Sequence, residues 1–190
     1  MSAFELFFSL FGLILGLAVA VLVGGLSDIL RERSPIPIGW LTPMLALVLL
    51  LDLSTMWVNA YTSLGKIEVA FAPFFGATLV ASLYFFAANM VFPKNLDQWS
   101  SLDDYYFHRS RYVFGGVLLA NLGVELMGLA ISRDVQDFFR SFYRSEVSAL
   151  WWASLLTMLV VRDRRVQYVG LSIQLLIALY ALLMFWRPLE

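Results

Sequence analysis

The chain has 190 residues, of which 61% are hydrophobic, 16% aromatic and only 14% charged. Soluble domains carry roughly 25% charged residues, and a core of this length cannot hide so much apolar side chain, so the composition excludes a water-solvated globule and implies a lipid-solvated one. A net charge of −1 excludes a basic nucleic-acid binder, and the lack of cysteine excludes disulfides, thiolate metal sites and a cysteine nucleophile.

Six apolar segments follow in chain order, each at or near the ~20 residues that a spanning helix needs. The first, 4–25, lies in "MSAFELFFSLFGLILGLAVAVLVGG". Its start holds Glu5 and no Lys or Arg, and its apolar run exceeds that of a signal peptide, so a retained helix is predicted. Gly12, Gly16, Ala20 and Gly24 recur there every fourth residue, a face that lets another helix approach closely. The second segment, 38–61, follows Pro35 and Pro37, and the third, 69–92, stops at Pro93. The fourth, 112–131, repeats the small-residue spacing with Gly116, Ala120 and Gly128. The fifth, 147–161, is short, and the sixth covers 166–186. Backbone groups in lipid must be satisfied within their own segment. An all-α fold is therefore predicted: a polytopic bundle of six transmembrane helices forming one domain over 1–190.

Two connections are predicted as short interfacial helices. In 134–146, Val135, Phe138, Phe139 and Phe142 fall at i, i+3, i+4 and i+7, the amphipathic pattern of a helix lying among headgroups. Residues 99–110 do likewise through Trp99, Leu102 and Tyr106. The first, third and fifth connections hold Arg31, Arg33, Lys94, Arg109, Arg111, Arg162, Arg164 and Arg165, eight of the 13 basic residues. The positive-inside rule then puts these odd loops in the cytoplasm and both termini outside. Each odd loop also contains Arg-x-Arg ("RER", "RSR", "RDR") ahead of an even-numbered helix, which suggests three helical hairpins of similar plan.

Two groups of residues carry candidate chemistry. Asp52 in "LVLLLDLSTMW" and Glu125 in "LLANLGVELMGLA" are acids inside predicted spans, where a charge costs roughly 2.5–3.5 kcal/mol even on the lenient insertion scale. Helices two and four run in the same direction, so both acids fall in one leaflet. Asp52, Thr55 and Asn59 share a helix face, Asn121 and Glu125 share another, and Gln174 is the polar residue of the sixth helix. Lining the middle of a bundle, these six would form a polar patch suited to a proton or cation. A structural hydrogen bond to a neighbouring helix accounts for the acids equally well.

The second group is "DDYYFHRSRY" (103–112), which gathers Asp103, Asp104, the single histidine His108 and two arginines among tyrosines. Together with Arg31, Arg33, Arg162, Arg164 and Arg165, His108, Arg109 and Arg111 would make a basic ring for a lipid headgroup or another anion. The plainer reading is a tyrosine belt with arginine anchors at helix ends. One histidine cannot build a His-rich metal or haem site, and G-x-S-x-G, H-E-x-x-H, P-loop and G-x-G-x-x-G motifs are all missing, so no cofactor or metal is expected and no catalytic residue is assigned. A carboxylate-only membrane hydrolase or transferase using Asp103, Asp104 and His108 as acid and base stays open.

The stretch "FFAANMVFPKNLDQWSSLDDYYFHRSRYVFGG" (85–116) resembles a pattern of uncharacterised bacterial inner-membrane proteins, in which a helix ending in Phe-Pro leads through an acidic, Tyr-rich loop to an Arg-rich helix start. The resemblance covers about a sixth of the chain. It implies a six-helix protein of the bacterial inner membrane and no particular activity. Two functions are thus expected: a small channel or transporter for a cation or proton working through its buried acids, or a non-transporting membrane subunit, assembly factor or lipid-binding scaffold. Expected partners are membrane lipids and further copies of the chain or other subunits of a membrane complex.

Overall fold

The computed structural model describes residues 3–31, 36–64, 71–132, 136 and 146–184. Among them the regular structure is entirely helical: α1 (Ala3–Arg31), α2 (Leu41–Leu64), α3 (Phe71–Asn89), α4 (Leu102–Ser132), α5 (Glu146–Val160) and α6 (Arg164–Met184), with a 3₁₀ turn at Leu96–Gln98. Five of the helices, α1 to α4 and α6, are long and apolar enough to cross a membrane, which supports an integral membrane location. α5 is apolar but has 15 residues, about 22 Å at 1.5 Å per residue, against about 30 Å of hydrocarbon.

Helix ends depart from expectation where local chemistry overrides the hydropathy pattern. α1 continues past Gly25 to Arg31, and its last turn carries an exposed Asp28–Arg31 pair at 3.7 Å. α2 starts at Leu41, because the Pro-rich approach keeps residues 37–39 out of the helix. α3 stops at Asn89, four residues before Pro93, and tightens into two i→i−3 bonds, Met90 to Ala87 and Val91 to Ala88. The largest correction concerns 99–110. From Leu102 these residues are the opening turns of α4, one continuous 31-residue helix of about 46 Å, and not a separate interfacial helix. Nothing between Leu102 and Tyr112 breaks a helix, so the chain has no reason to interrupt there. The other predicted interfacial helix, 134–146, lies outside the described residues except for Gln136 and Glu146, the latter opening α5.

The helices close a ring in the order α1, α3, α4, α5, α6, α2, with α2 also touching α3 and α4 across the middle. Leu15, Ala18 and Leu22 of α1, Leu45, Leu49 and Leu53 of α2, Val80, Ala87 and Ala88 of α3, and Val113, Phe114, Val117 and Ala120 of α4 form the shared core. Small residues set the closest approaches. A methyl group on Gly116 would lie 3.2 Å from the Ala87 Cβ and 3.4 Å from the Leu83 carbonyl. Gly12 is covered by Trp57, whereas Gly16, Gly24 and Gly128 face open space. The small-residue stripes therefore serve contacts within this chain at Gly12 and Gly116.

Burial is uneven along the bundle. On α4 the buried positions end at Ala120, on α6 at Gln174, and on α5 they begin at Ser154. These limits all leave the close-packed part at the end where the odd connections meet. Toward the opposite end the same helices are half-buried or exposed.

Gly116→Leu should force α3 and α4 apart and lower the unfolding free energy in detergent by about 1–3 kcal/mol, the usual cost of overpacking. Gly128→Leu, entering open space, should change it by less than about 0.5 kcal/mol in the same denaturation measurement.

Candidate functional site

The polar interior begins at Tyr84. Its ring is fully buried in α3, and its hydroxyl donates to Asp52 Oδ2 on α2 at 2.8 Å. The same hydroxyl accepts from Asn121 Nδ2 on α4 at 3.0 Å, and that amide also donates to the Val117 carbonyl one turn earlier. An acid, a phenol and an amide from three helices thus form one hydrogen-bonded chain in the bundle. In lipid such groups have no water to turn to, so the chain satisfies them and ties α2, α3 and α4 together.

The other members of the predicted polar patch divide around it. Thr55 lies one turn beyond Asp52 on an exposed position and returns its hydroxyl to the Leu51 carbonyl at 3.0 Å. Asn59 continues the same exposed face of α2. Glu125 lies one turn beyond Asn121, half-buried, and no described hydrogen bond links it to the Asp52 chain. The level partner of Asp52 is therefore Asn121, and Glu125 sits nearer the looser end. Gln174 is buried elsewhere: its Nε2 donates to Ser154 Oγ at 2.7 Å and to the Trp151 carbonyl at 3.1 Å, joining α6 to α5.

Sequence reading missed Tyr84. It lies five residues from the end of α3, where tyrosine fits the interface belt. Helical side chains lean toward the N-terminus of their helix, however, and that lean carries the hydroxyl inward to the level of Asp52.

The second candidate group stands where the odd connections meet. Asp103, almost fully buried in the first turn of α4, accepts from Arg164 Nη2 at 2.5 Å and, through Oδ1, from the Leu41 backbone N–H at 3.4 Å. Leu102 N–H donates to the Pro37 carbonyl at 3.3 Å, and Thr42 Oγ1 donates to the Leu102 carbonyl at 3.1 Å. A Cβ on Gly39 would overlap the Asp103 carboxylate, so only glycine lets the approach to α2 pass this close. One carboxylate thus ties together the starts of three helices: it caps the α2 N-terminus at Leu41, sits in the first turn of α4 and pairs with the Arg164 side chain of α6.

The rest of "DDYYFHRSRY" is likewise engaged within the protein. Tyr105 donates to the Met90 and Phe92 carbonyls at 3.0 and 3.1 Å, closing the end of α3. Tyr106 donates to Gln167 Oε1 at 2.6 Å, and Gln167 Nε2 holds the Met158 and Val161 carbonyls at the α5–α6 turn. His108 Nδ1 lies 3.1 Å from the Asp104 carbonyl oxygen and 3.8 Å from the Asp104 carboxylate, with Trp99 edge-on to its ring.

The predicted basic ring does not close around one point. Arg111 donates to the Val160 carbonyl at 3.3 Å and Arg162 to the Phe107 carbonyl at 2.6 Å, so the second and third Arg-x-Arg motifs interlock across α4 and α5. Arg109 lies over the Tyr112 ring, Arg165 is exposed, and Arg31 pairs with Asp28. Arg33 lies outside the described residues. Among the described residues, no group of three His, Cys, Asp or Glu side chains is placed to hold a metal ion.

Compared with protein-family models, with curated proteins and with solved structures, the chain has no match in any of the three. Fold and site therefore define a helical membrane protein from their own geometry alone.

Tyr84→Phe removes the hydroxyl shared by Asp52 and Asn121 and should destabilise the protein by about 1–2 kcal/mol, the scale of an interhelical hydrogen bond in lipid. Gly39→Ala should cost about 1–3 kcal/mol, because the Asp103 carboxylate must move off the α2 N-terminus. Both losses are measurable by denaturation in detergent.

Proposed function

We propose that the protein is a small membrane channel or transporter for a proton or small cation, working at Asp52. The observation that carries this reading is the Asp52–Tyr84–Asn121 chain, an ionisable carboxyl held in place by groups from two other helices. Intramembrane acids are costly, and a proton or cation pathway is their usual reason for being there. Thr55 and Asn59 on α2 and Glu125 on α4 lie further along, toward the less buried end of the bundle. A cation arriving from that end meets Glu125 and Asn59 first, then Thr55, and finally the Asp52 carboxylate. Gln174 acts in this scheme as a strut, keeping α5 and α6 at their distance from this path.

In the same proposal α5 is the sixth span, the odd connections are cytoplasmic, both termini lie outside, and the protein resides in a bacterial inner membrane as a homo-oligomer or part of a larger complex. The excess of arginine and lysine on the odd connections supports the orientation.

A second reading, a non-transporting subunit, assembly factor or lipid-binding scaffold, is favoured by a different observation. Arg111, Arg162 and Arg164 all engage groups of the protein itself, which suits a rigid component with fixed helix ends.

Ion and proton flux into proteoliposomes separates the two. Asparagine at 52 still offers Tyr84 an acceptor, so Asp52→Asn should remain folded. Its flux should fall about a hundredfold, the scale of losing a positioned proton-transfer group. Glu125→Gln should lower flux less, because it lies outside the hydrogen-bonded chain. No flux from folded wild-type protein across several ions and pH gradients would reject transport in favour of the scaffold reading.

A further inference from the structure

We infer that the seam between α4 and α5 is a binding site for one anionic phospholipid, with its phosphate at Arg111 and Arg162. The two guanidiniums cross at this seam. Arg111 reaches from α4 to the last carbonyl of α5, at Val160, and Arg162, just beyond α5, reaches back to the Phe107 carbonyl one turn before Arg111. Each bond occupies one Nη2, and a guanidinium has five N–H donors in a fixed fork. Both arginines are exposed, so donors remain on each for a second acceptor. Two forks fixed at one level suit the oxygens of a phosphate better than a point charge does.

Below the arginines the seam is apolar and shallow. One turn along α4 from Arg111 is Gly115, where a Cβ would meet nothing within 4 Å, and then Leu119, which is exposed. Running antiparallel on α5, Val160 is 69% exposed, followed by exposed Leu156 and Ala153. The missing side chain at Gly115 leaves open space beside the exposed Leu119, Leu156 and Val160, and these apolar side chains offer contact to an acyl chain. Tyr112, exposed beside the arginines with Arg109 over its ring at 5.7 Å, marks the headgroup level. Charge at the top, open apolar space beneath and a belt residue at the boundary are complementary to a lipid with an anionic head. A soluble anion would use only the first of these. Of the local carboxylates, Asp103 is paired to Arg164 and Asp163 is turned to the N-terminus of α6, so Arg109, Arg111 and Arg162 leave the seam with net positive charge.

Native mass spectrometry of the purified protein in detergent tests this, with phosphatidylglycerol and phosphatidylcholine of equal chain length as probes. Wild type should retain one phosphatidylglycerol in preference to phosphatidylcholine. Arg111→Gln and Arg162→Gln should each lower that occupancy roughly fivefold, as expected for one basic residue near an anionic lipid. Gly115→Leu fills the open space, leaves both guanidiniums in place and should lower occupancy of the same lipid without altering helical content. Arg31→Gln, on α1, should leave occupancy unchanged. Equal retention of the two lipids by wild type would overturn the assignment, as would undiminished phosphatidylglycerol in folded Gly115→Leu. Displacement of the lipid by millimolar inorganic phosphate would overturn it too, since a site for the free anion needs no apolar space.

Discussion

The structure depends most on a single carboxylate. Asp103 lies where α2, α4 and α6 all begin: it sits in the first turn of α4, accepts an N–H from the first residue of α2 and pairs with the side chain of the first residue of α6. Leu41 N–H and the Arg164 guanidinium converge on its oxygens. An acid this buried is costly unless fully partnered, and its partners lie far apart in the chain, 62 and 61 residues away. The arrangement therefore forms only when the whole bundle is assembled. Gly39 gives the backbone the room to reach it, Thr42 and Leu102 fasten the two approaches together, and Arg164 remains open enough to water to relieve part of the charge.

The hydrogen-bonded chain of Asp52, Tyr84 and Asn121 answers a related problem at a different depth. At the odd end, water and arginine share the work of satisfying an acid. Nearer the middle of the bundle only protein groups are available, and the phenol does double duty as donor to Asp52 and acceptor from Asn121. Its two partners cannot be replaced independently, because the Asn121 amide is also fastened to its own helix at Val117. That is a rigid way to hold one carboxyl group. It fits a site whose ionisation matters, and also a joint whose position matters, which is why flux rather than stability distinguishes the two functions.

Much of this architecture was legible beforehand. Lipid solvation, helical class and the approximate position of all six helices follow from apolar runs and from Pro35, Pro37 and Pro93. Asp52 and Asn121 stood out because a polar residue inside an apolar run is conspicuous whatever surrounds it. Their link was hidden, since tyrosine near a helix end is indistinguishable by composition from a belt residue, and only the lean of its side chain in three dimensions takes it inward. The same limit applies to Asp103. In one dimension it is one acid among the polar residues of "DDYYFHRSRY", and what singles it out from Asp104 is a glycine 64 positions earlier. The continuity of α4 was misjudged because hydropathy drops before Tyr112 while helix propensity does not. The arginine motifs looked like repeats, yet two of them grip each other's helices and so occupy complementary rather than equivalent places.

The mismatch in helix length gives the bundle a mechanical character. α4 measures about 46 Å and α5 about 22 Å, and they stand side by side. Under the proposed topology, in which α5 crosses the bilayer, the membrane thins beside the short helix or its neighbours tilt, each at a fraction of a kcal/mol per ångström. The end gathered around Asp103 is clamped, whereas the opposite end has fewer buried contacts to oppose such a strain. In that topology, membrane thickness loads the unclamped half of the bundle, where Glu125 and Asn59 sit, more than the half gathered around Asp103.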